Sequence, residues 1–287
     1  MRYFLSLLAI LLSVAAQAGP PQVFLDVARF RNLADVGKGA EVEIYVTVPT
    51  QNLTYRQRAP KSFQSAANVT LEVLKADGKP AYREVVTLKP PVLNDTTISI
   101  KNPQSFLKRI ALPDGRYTLR ATVRDQYRSA NGETTVERPL VLEAPSQGAF
   151  LSDIVLLAKP AARGDGEDNF FRGGYRLTRA PLGFYGRGVE TIYFYTELHQ
   201  ATAGTPVRVR YYLQGAAGKA SEGEASLTPQ AGKPAVIIGQ LPLGNIPEGP
   251  FTLLVEVLGG KKLLAGHRVQ GSRSQTDYAP AGAGVGR

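Results

Sequence analysis

Apolar and polar positions alternate with a step of two along almost the whole chain. Val42, Ile44, Val46 and Val48 point one way while Glu41, Glu43, Tyr45 and Thr47 point the other, the pattern of a strand with one buried face. Val69, Leu71 and Val73 alternate with Thr70 and Glu72 in the same way, as do Val207, Val209, Tyr211 and Leu213 with Arg208, Arg210 and Tyr212. Between the apolar runs stand Asp77-Gly78, Pro90-Pro91, Asp114-Gly115, Asn131-Gly132 and Glu248-Gly249, where chain reversal needs Gly or a residue tolerant of positive φ. Beyond the first residues no segment keeps a 3.6 period over three turns. Such strands bury one face each most economically in two stacked sheets, so the expected class is all-β.

The pattern also repeats. Leu112-Pro113-Asp114-Gly115-Arg116-Tyr117-Thr118-Leu119 is echoed by Ile246-Pro247-Glu248-Gly249-Pro250-Phe251-Thr252-Leu253, about 134 residues later. Lys38-Gly39-Ala40-Glu41 and Arg187-Gly188-Val189-Glu190 each open a long strand. A period of this length is a domain. We therefore read two tandem immunoglobulin-like β-sandwich domains, residues 19–145 and 146–270, joined through Glu143-Ala144-Pro145-Ser146-Gln147-Gly148. The Gly-x-Tyr of the first copy is similar to a tyrosine corner, whose hydroxyl bonds back to the backbone where the chain crosses between sheets. Phe251 of the second copy keeps the ring without the hydroxyl.

Arg2, the apolar run Tyr3 to Val14 and the small-x-small site Ala16-Gln17-Ala18 predict a signal peptide over residues 1–18, hence an exported protein, periplasmic or extracellular. No later stretch approaches the roughly 20 apolar residues a transmembrane helix needs. The end segment from Gly271 to Arg287 is rich in Gly, Ala and Ser and predicts a mobile tail.

Composition narrows the chemistry. With no Cys, thiolate catalysis, disulfides and zinc-thiolate sites drop out, and two His leave little scope for a protein-only metal centre. The net charge is +10 and the charged fraction 20%, and an exported chain without a recognisable module is a poor nucleic-acid partner. His199 shares a strand face with Glu197, but no nucleophile in a Gly-flanked elbow accompanies them; His267 lies in a Gly- and Lys-rich segment, and both read as solvated or edge histidines. Asp165, Glu167 and Asp168, with Asn169, could supply half a calcium site. A solvated acidic loop is the plainer reading, and no other cofactor is expected.

Ten of the 13 Tyr and 11 Phe lie between Phe170 and Tyr212. Tyr193 and Tyr195 share one strand face, with Tyr212 a neighbour on its own outward face. Such a row is either a platform for sugar or peptide or a seam against the first sandwich or a partner. The absence of Trp favours the seam. Arg116, Arg120 and Arg124 share one strand face, which could rest on an anionic envelope polysaccharide, or simply solvate the sheet.

The order of short motifs resembles a known family. Phe24-Leu25-Asp26-Val27-Ala28-Arg29-Phe30, Glu41-Val42-Glu43-Ile44-Tyr45, Pro113-Asp114-Gly115-Arg116-Tyr117, Leu151-Ser152-Asp153-Ile154-Val155-Leu156, Ile192-Tyr193-Phe194-Tyr195-Thr196-Glu197-Leu198 and Pro247-Glu248-Gly249 follow the order of the amino-terminal β region of GWxTD-domain proteins. The Gly-Trp-x-Thr-Asp domain itself is absent, since the chain has no Trp. The resemblance implies an exported bacterial β-sandwich tandem without catalytic residues. The expected role is a structural or protein-interaction module of the cell envelope, and the alternative is a binding protein for envelope polysaccharide or peptide through the second domain's aromatics and the basic faces.

Overall fold

The structure is a computed structural model and describes residues 19–31, 39–97 and 103–275, apart from 144, 146, 165, 167 and 245. The signal-peptide reading over 1–18 lies outside the described residues. The protein is all-β, two tandem immunoglobulin-like β-sandwiches.

The first sandwich is built from β1 (Phe24–Arg31), β2 (Ala40–Val48), β5 (Ala67–Lys75), β6 (Pro80–Leu88), β7 (Gln104–Leu112), β8 (Gly115–Asp125) and β9 (Glu133–Leu142), with a small hairpin of β3 (Arg56–Ala59) and β4 (Ser62–Gln64) at one end. One sheet runs β1-β2-β7 and the other β6-β5-β8-β9. Their facing sides close a core of Leu25, Val42, Ile44, Val46, Val69, Leu71, Val73, Leu119, Ala121 and Val123, the apolar half of each alternation.

The second sandwich repeats this order. Its strands are β10 (Phe150–Leu151), β11 (Val155–Leu157), β16 (Thr191–His199), β17 (Val207–Gly215), β18 (Gly218–Leu227), β19 (Ala235–Pro242), β20 (Gly249–Gly259) and β21 (Lys262–Arg273). β16 pairs with β10, β11 and β19, while the other sheet runs β18-β17-β20-β21. β10 and β11 together take the place of β1, interrupted at Ser152-Asp153-Ile154. Ser152 bridges the gap: its N–H donates to the Glu197 carbonyl (2.8 Å) and its Oγ accepts from the Glu197 N–H (2.9 Å).

The repeated corners superpose in role. β8 opens at Gly115 and β20 at Gly249, and the Tyr117 hydroxyl donates to the Pro113 carbonyl at 3.0 Å. Phe251 is held by burial, with the Tyr185 ring 5.9 Å away. Gly39 and Gly188, which lead into β2 and the β16 region, have φ of 80° and 79°, a left-handed conformation that favours glycine.

What the second half adds is a long excursion between β11 and β16. It carries the two-residue strands β12 (Ala162–Arg163), β13 (Phe171–Arg172), β14 (Tyr175–Arg176) and β15 (Phe184–Tyr185). β15 joins the edge of β21 in parallel. The expected tail boundary at Gly271 is corrected: Gly271 to Arg273 belong to β21, and the Arg273 guanidinium donates to the carbonyls of Leu243 (2.7 Å), Gly244 (3.0 Å) and Ile246. Residues 276–287 lie outside the described set.

Candidate functional site

Two polar sheet faces meet where the sandwiches touch. The outward side of β1-β2-β7 presents Ala28 and Phe30 from β1, and these pack into one apolar cluster with Val155, Leu157, Leu177 and Tyr195 of the second half. Tyr193, Val236 and Ile238 lie against the same cluster. The seam therefore has its own small core, spanning both sandwiches.

Around that core sits a cluster of buried charges. Glu43 on β2 is 1% exposed, and three guanidinium groups converge on it: Arg109 at 2.7 Å, Arg172 at 3.1 Å and Arg179 at 2.7 Å. Arg109 comes from β7 of the same sheet; Arg172 and Arg179 come from the excursion. Arg172 also pairs with Glu41 and with Glu197 on β16 (Nε to Oε1, 2.7 Å), and its guanidinium carbon lies 3.5 Å from the centre of the Phe30 ring. Glu197 accepts a further hydrogen bond from the Tyr195 hydroxyl at 2.8 Å. Arg172 is thus the pivot, with carboxylates of both sandwiches on one guanidinium and an aromatic ring beneath it.

The electrostatics follow from this crowding. Burial alone raises the Glu43 carboxyl, but Arg179, Arg172 and Arg109 hold it below the usual range. Burial likewise raises Glu197, and Arg172 and the Tyr195 hydroxyl bring it below its ordinary value. The Tyr195 phenol is pushed well up by burial and by the adjacent Glu197. These groups hold fixed charge states across the neutral range. Each buried charge has an opposite partner, which offsets a desolvation cost of several kcal/mol per ion.

Backbone geometry positions the excursion. Gly173, between β13 and β14, has φ 57°, and a Cβ there would fall 2.4 Å from the Tyr195 hydroxyl; only glycine lets this turn lie over the phenol while aiming Arg172 at both sheets. Asn169 reinforces the placement, its amide donating to the Leu107 carbonyl at 3.1 Å, while Arg109 donates to the carbonyls of Asn169 (3.2 Å) and Phe171 (3.0 Å).

A second clamp closes the linker side. Asp153 takes Arg29 in a two-point pair (2.8 and 2.9 Å), the Arg29 N–H (2.8 Å) and His267 Nε2 (3.1 Å). Burial opposes ionisation there, but His267 and Arg29 hold the Asp153 carboxyl down at about 2. Beside it opens a cleft of about 540 Å³ lined from both halves, among others by Arg31, Gln200, Phe150 and His267.

The expected site residues are placed as follows. Tyr195 is fully buried and Tyr193 half-buried in the seam, so these two do not form an open platform; they are the contact against the first sandwich. Tyr212 is half-buried under Lys219 on the outer face of the opposite sheet and does not neighbour them. Arg116 and Arg124 are exposed on the outer face of β8. That face is of mixed sign, because Arg120 pairs with Glu137 at 2.6 Å and lies 3.7 Å from Glu72, and Glu133 stands opposite Arg124 in the register. Asp168 is paired with Arg176 at 2.8 Å and accepts the Phe170 N–H at 2.9 Å; Asp165 and Glu167 lie outside the described residues. Among the described residues no group of three His, Asp or Glu could hold a metal ion.

His199 corrects the expectation of a solvated or edge residue. It is the last residue of β16, 2% exposed, with its ring stacked on Phe150 at 5.0 Å. Its Nε2 is 3.3 Å from Glu197 Oε2 but off the line of a hydrogen bond, and neither ring nitrogen has a hydrogen-bond partner. His267 keeps the expected edge position: it lies on β21 outside the stretch that β15 covers, its side chain one-third exposed, with Asp153 as its partner. Glu41, Glu43, Arg109, Arg172 and Arg179 escape a reading of the sequence as site residues. The signal that existed was Glu41-x-Glu43-x-Tyr45 on the outward half of β2, and nothing local told that this face would be covered.

No protein family and no curated protein matches the chain. Among solved structures, the chain is similar over 88% of its length to a transglutaminase of red sea bream at 10% identity, TM-score 0.28, covering 31% of that chain. It is similar over 92% to a biofilm-associated protein BSP domain at 11% identity, TM-score 0.25, covering 53%. A tetra-tandem repeat from the extending region of a large adhesion protein matches 88% of the chain at 13% identity, TM-score 0.24, covering 50%. The chain thus spans from about a third to about half of these structures.

Proposed function

We propose that the chain is a non-catalytic structural and protein-interaction module of a bacterial cell envelope, in which two sandwiches act as one stiff unit. The observation that carries this reading is the Arg172 pivot. At that pivot Glu43, Glu197 and Tyr195 are buried against fixed partners, an arrangement suited to holding two faces together. The motif order shared with GWxTD-domain proteins supports export and an envelope setting. A platform of Tyr193, Tyr195 and Tyr212 for peptide or polysaccharide is not carried forward, because the first two are the seam.

The test has two arms. Backbone NMR relaxation on the full chain is expected to give one tumbling time for both sandwiches; separate times would refute the stiff unit. Photocrosslinkers placed at exposed positions of the exported protein in bacteria are expected to trap one recurrent envelope protein, with the yield falling in Arg172→Glu. Retention of the protein in the cytoplasm, or recovery of no crosslink from any position, would refute the envelope role.

A further inference from the structure

The hairpin β3–β4 carries charge that the rest of the fold does not balance. No acidic residue occurs between Glu43 and Glu72, and Arg56, Arg58 and Lys61 are all exposed in that interval. Arg29, Arg109, Arg120, Arg172, Arg176, Arg179 and Arg210 each meet a carboxylate; the hairpin arginines do not. Among the described residues Arg56 and Arg58 meet only Tyr127, each guanidinium carbon 5.1 Å from the ring centre, with Arg58 also donating to the phenol oxygen.

The cations are exposed but their platform is fixed. Asp125, fully buried, accepts the Thr54 N–H at 2.7 Å and the Tyr127 N–H at 2.9 Å. One carboxylate therefore ties the chain entering the hairpin to the residue on which both arginines rest. Phe63 and Leu93 exchange two backbone hydrogen bonds of 2.8 Å at the hairpin base. Arg58 is the extra residue of a bulge between Gln57 and Ala59, a device that re-aims a side chain.

We propose that this hairpin is a docking surface for an acidic polysaccharide, its two arginines and Lys61 engaging successive carboxylate or sulfate groups along the sugar chain. Guanidinium forks suit such groups, which offer paired oxygens. From Arg56 to Lys61 the hairpin tip holds no large apolar side chain, so it offers neither the apolar centre on which a protein interface closes nor a group to insert into a bilayer. Tyr127 already lies under the arginines, which takes away the open ring on which a single-stranded nucleic acid would stack. A polymer with recurring anions fits what remains.

The experiment measures binding of the purified chain to immobilised polygalacturonate and heparin across a salt series. The triple variant Arg56→Gln, Arg58→Gln, Lys61→Gln is expected to bind about tenfold more weakly at low salt, with a salt slope shallower by about two to three. A control triple, Arg116→Gln, Arg124→Gln, Lys262→Gln, removes the same charge from other exposed positions and is expected to stay within about twofold of the parent. All substituted positions are exposed, and unchanged thermal midpoints verify folding. The proposal is overturned if the hairpin triple binds as the parent does, if the control loses as much, if the parent binds neither polysaccharide, or if it prefers phosphatidylglycerol vesicles or duplex DNA to both.

Discussion

Arg172 Nε stands 2.7 Å from Glu197 Oε1 at the seam, and Arg120 Nε stands 2.6 Å from Glu137 Oε1 on the outer face of the first sandwich. The lengths are alike and the surroundings are not. The seam pair is 10% and 4% exposed, whereas the outer pair is 38% and 49% exposed. Water screens the outer pair and would solvate either partner left alone, so its net contribution is small. Inside the seam, an ion that loses its partner stays in a medium that cannot solvate it. Strands β2 and β8 share one alternation of apolar and polar residues, and what covers the polar half decides what each charge is worth.

That contrast can be broken most sharply at Glu43. Replacing Glu43 by Ala leaves Arg179, itself 5% exposed, with Asp26 at 3.5 Å as its remaining counter-charge and takes one carboxylate from Arg172; it is expected to cost about 3 kcal/mol in a urea titration. A loss below about 1 kcal/mol would mean that the seam is wet.

The linker-side clamp gives a pH test. The Asp153 carboxyl is held at about 2 in the folded protein against an ordinary 3.8. A depressed carboxylate stabilises the fold above its unfolded value and loses that contribution as pH falls through its folded value. The parent is therefore expected to lose about 2 kcal/mol between pH 4 and pH 2 that Asp153→Asn does not lose. Parallel acid limbs for the two proteins would remove the clamp from the account.

Next comes Tyr195→Phe, which takes one hydrogen bond from Glu197 but leaves Arg172 in place; the expected cost is about 1.5 kcal/mol. The outer face is the baseline. Arg120→Ala should change stability by no more than about 0.5 kcal/mol, measured in the same titration and shrinking further in salt.

Much of the fold was legible because short-range chemistry sets it. Val42 to Val48 and Val207 to Leu213 named their core faces by a period of two, and the corner at Pro113 to Tyr117 announced both its hydroxyl bond and its second copy at Pro247. The seam was half legible: the tyrosines on β16 pointed to a contact surface, and the lack of Trp argued for protein over sugar. The charge cluster was not legible. Alternation separates the two faces of a strand but does not distinguish solvent from a neighbouring sheet, so Glu43 and Thr47 read like Glu72 and Thr70. The partners of Glu43, Arg172 and Arg179, lie some 130 positions away in a stretch without strong periodicity, where no local rule tells which sheet an arginine will reach. The hairpin cations escape for a simpler reason: the hairpin is too short to show a period.

The excursion between β11 and β16 also bears on how the molecule comes into being. A nascent chain presents the first sandwich before Arg172 and Arg179 have been synthesised. During that interval Glu41 and Glu43 face water on a sheet side that also bares Phe30 and Tyr45, so the emerging half carries an amphipathic strip that a holdase could grip. Docking of the second sandwich, with its arginines, would bury the strip and release the grip.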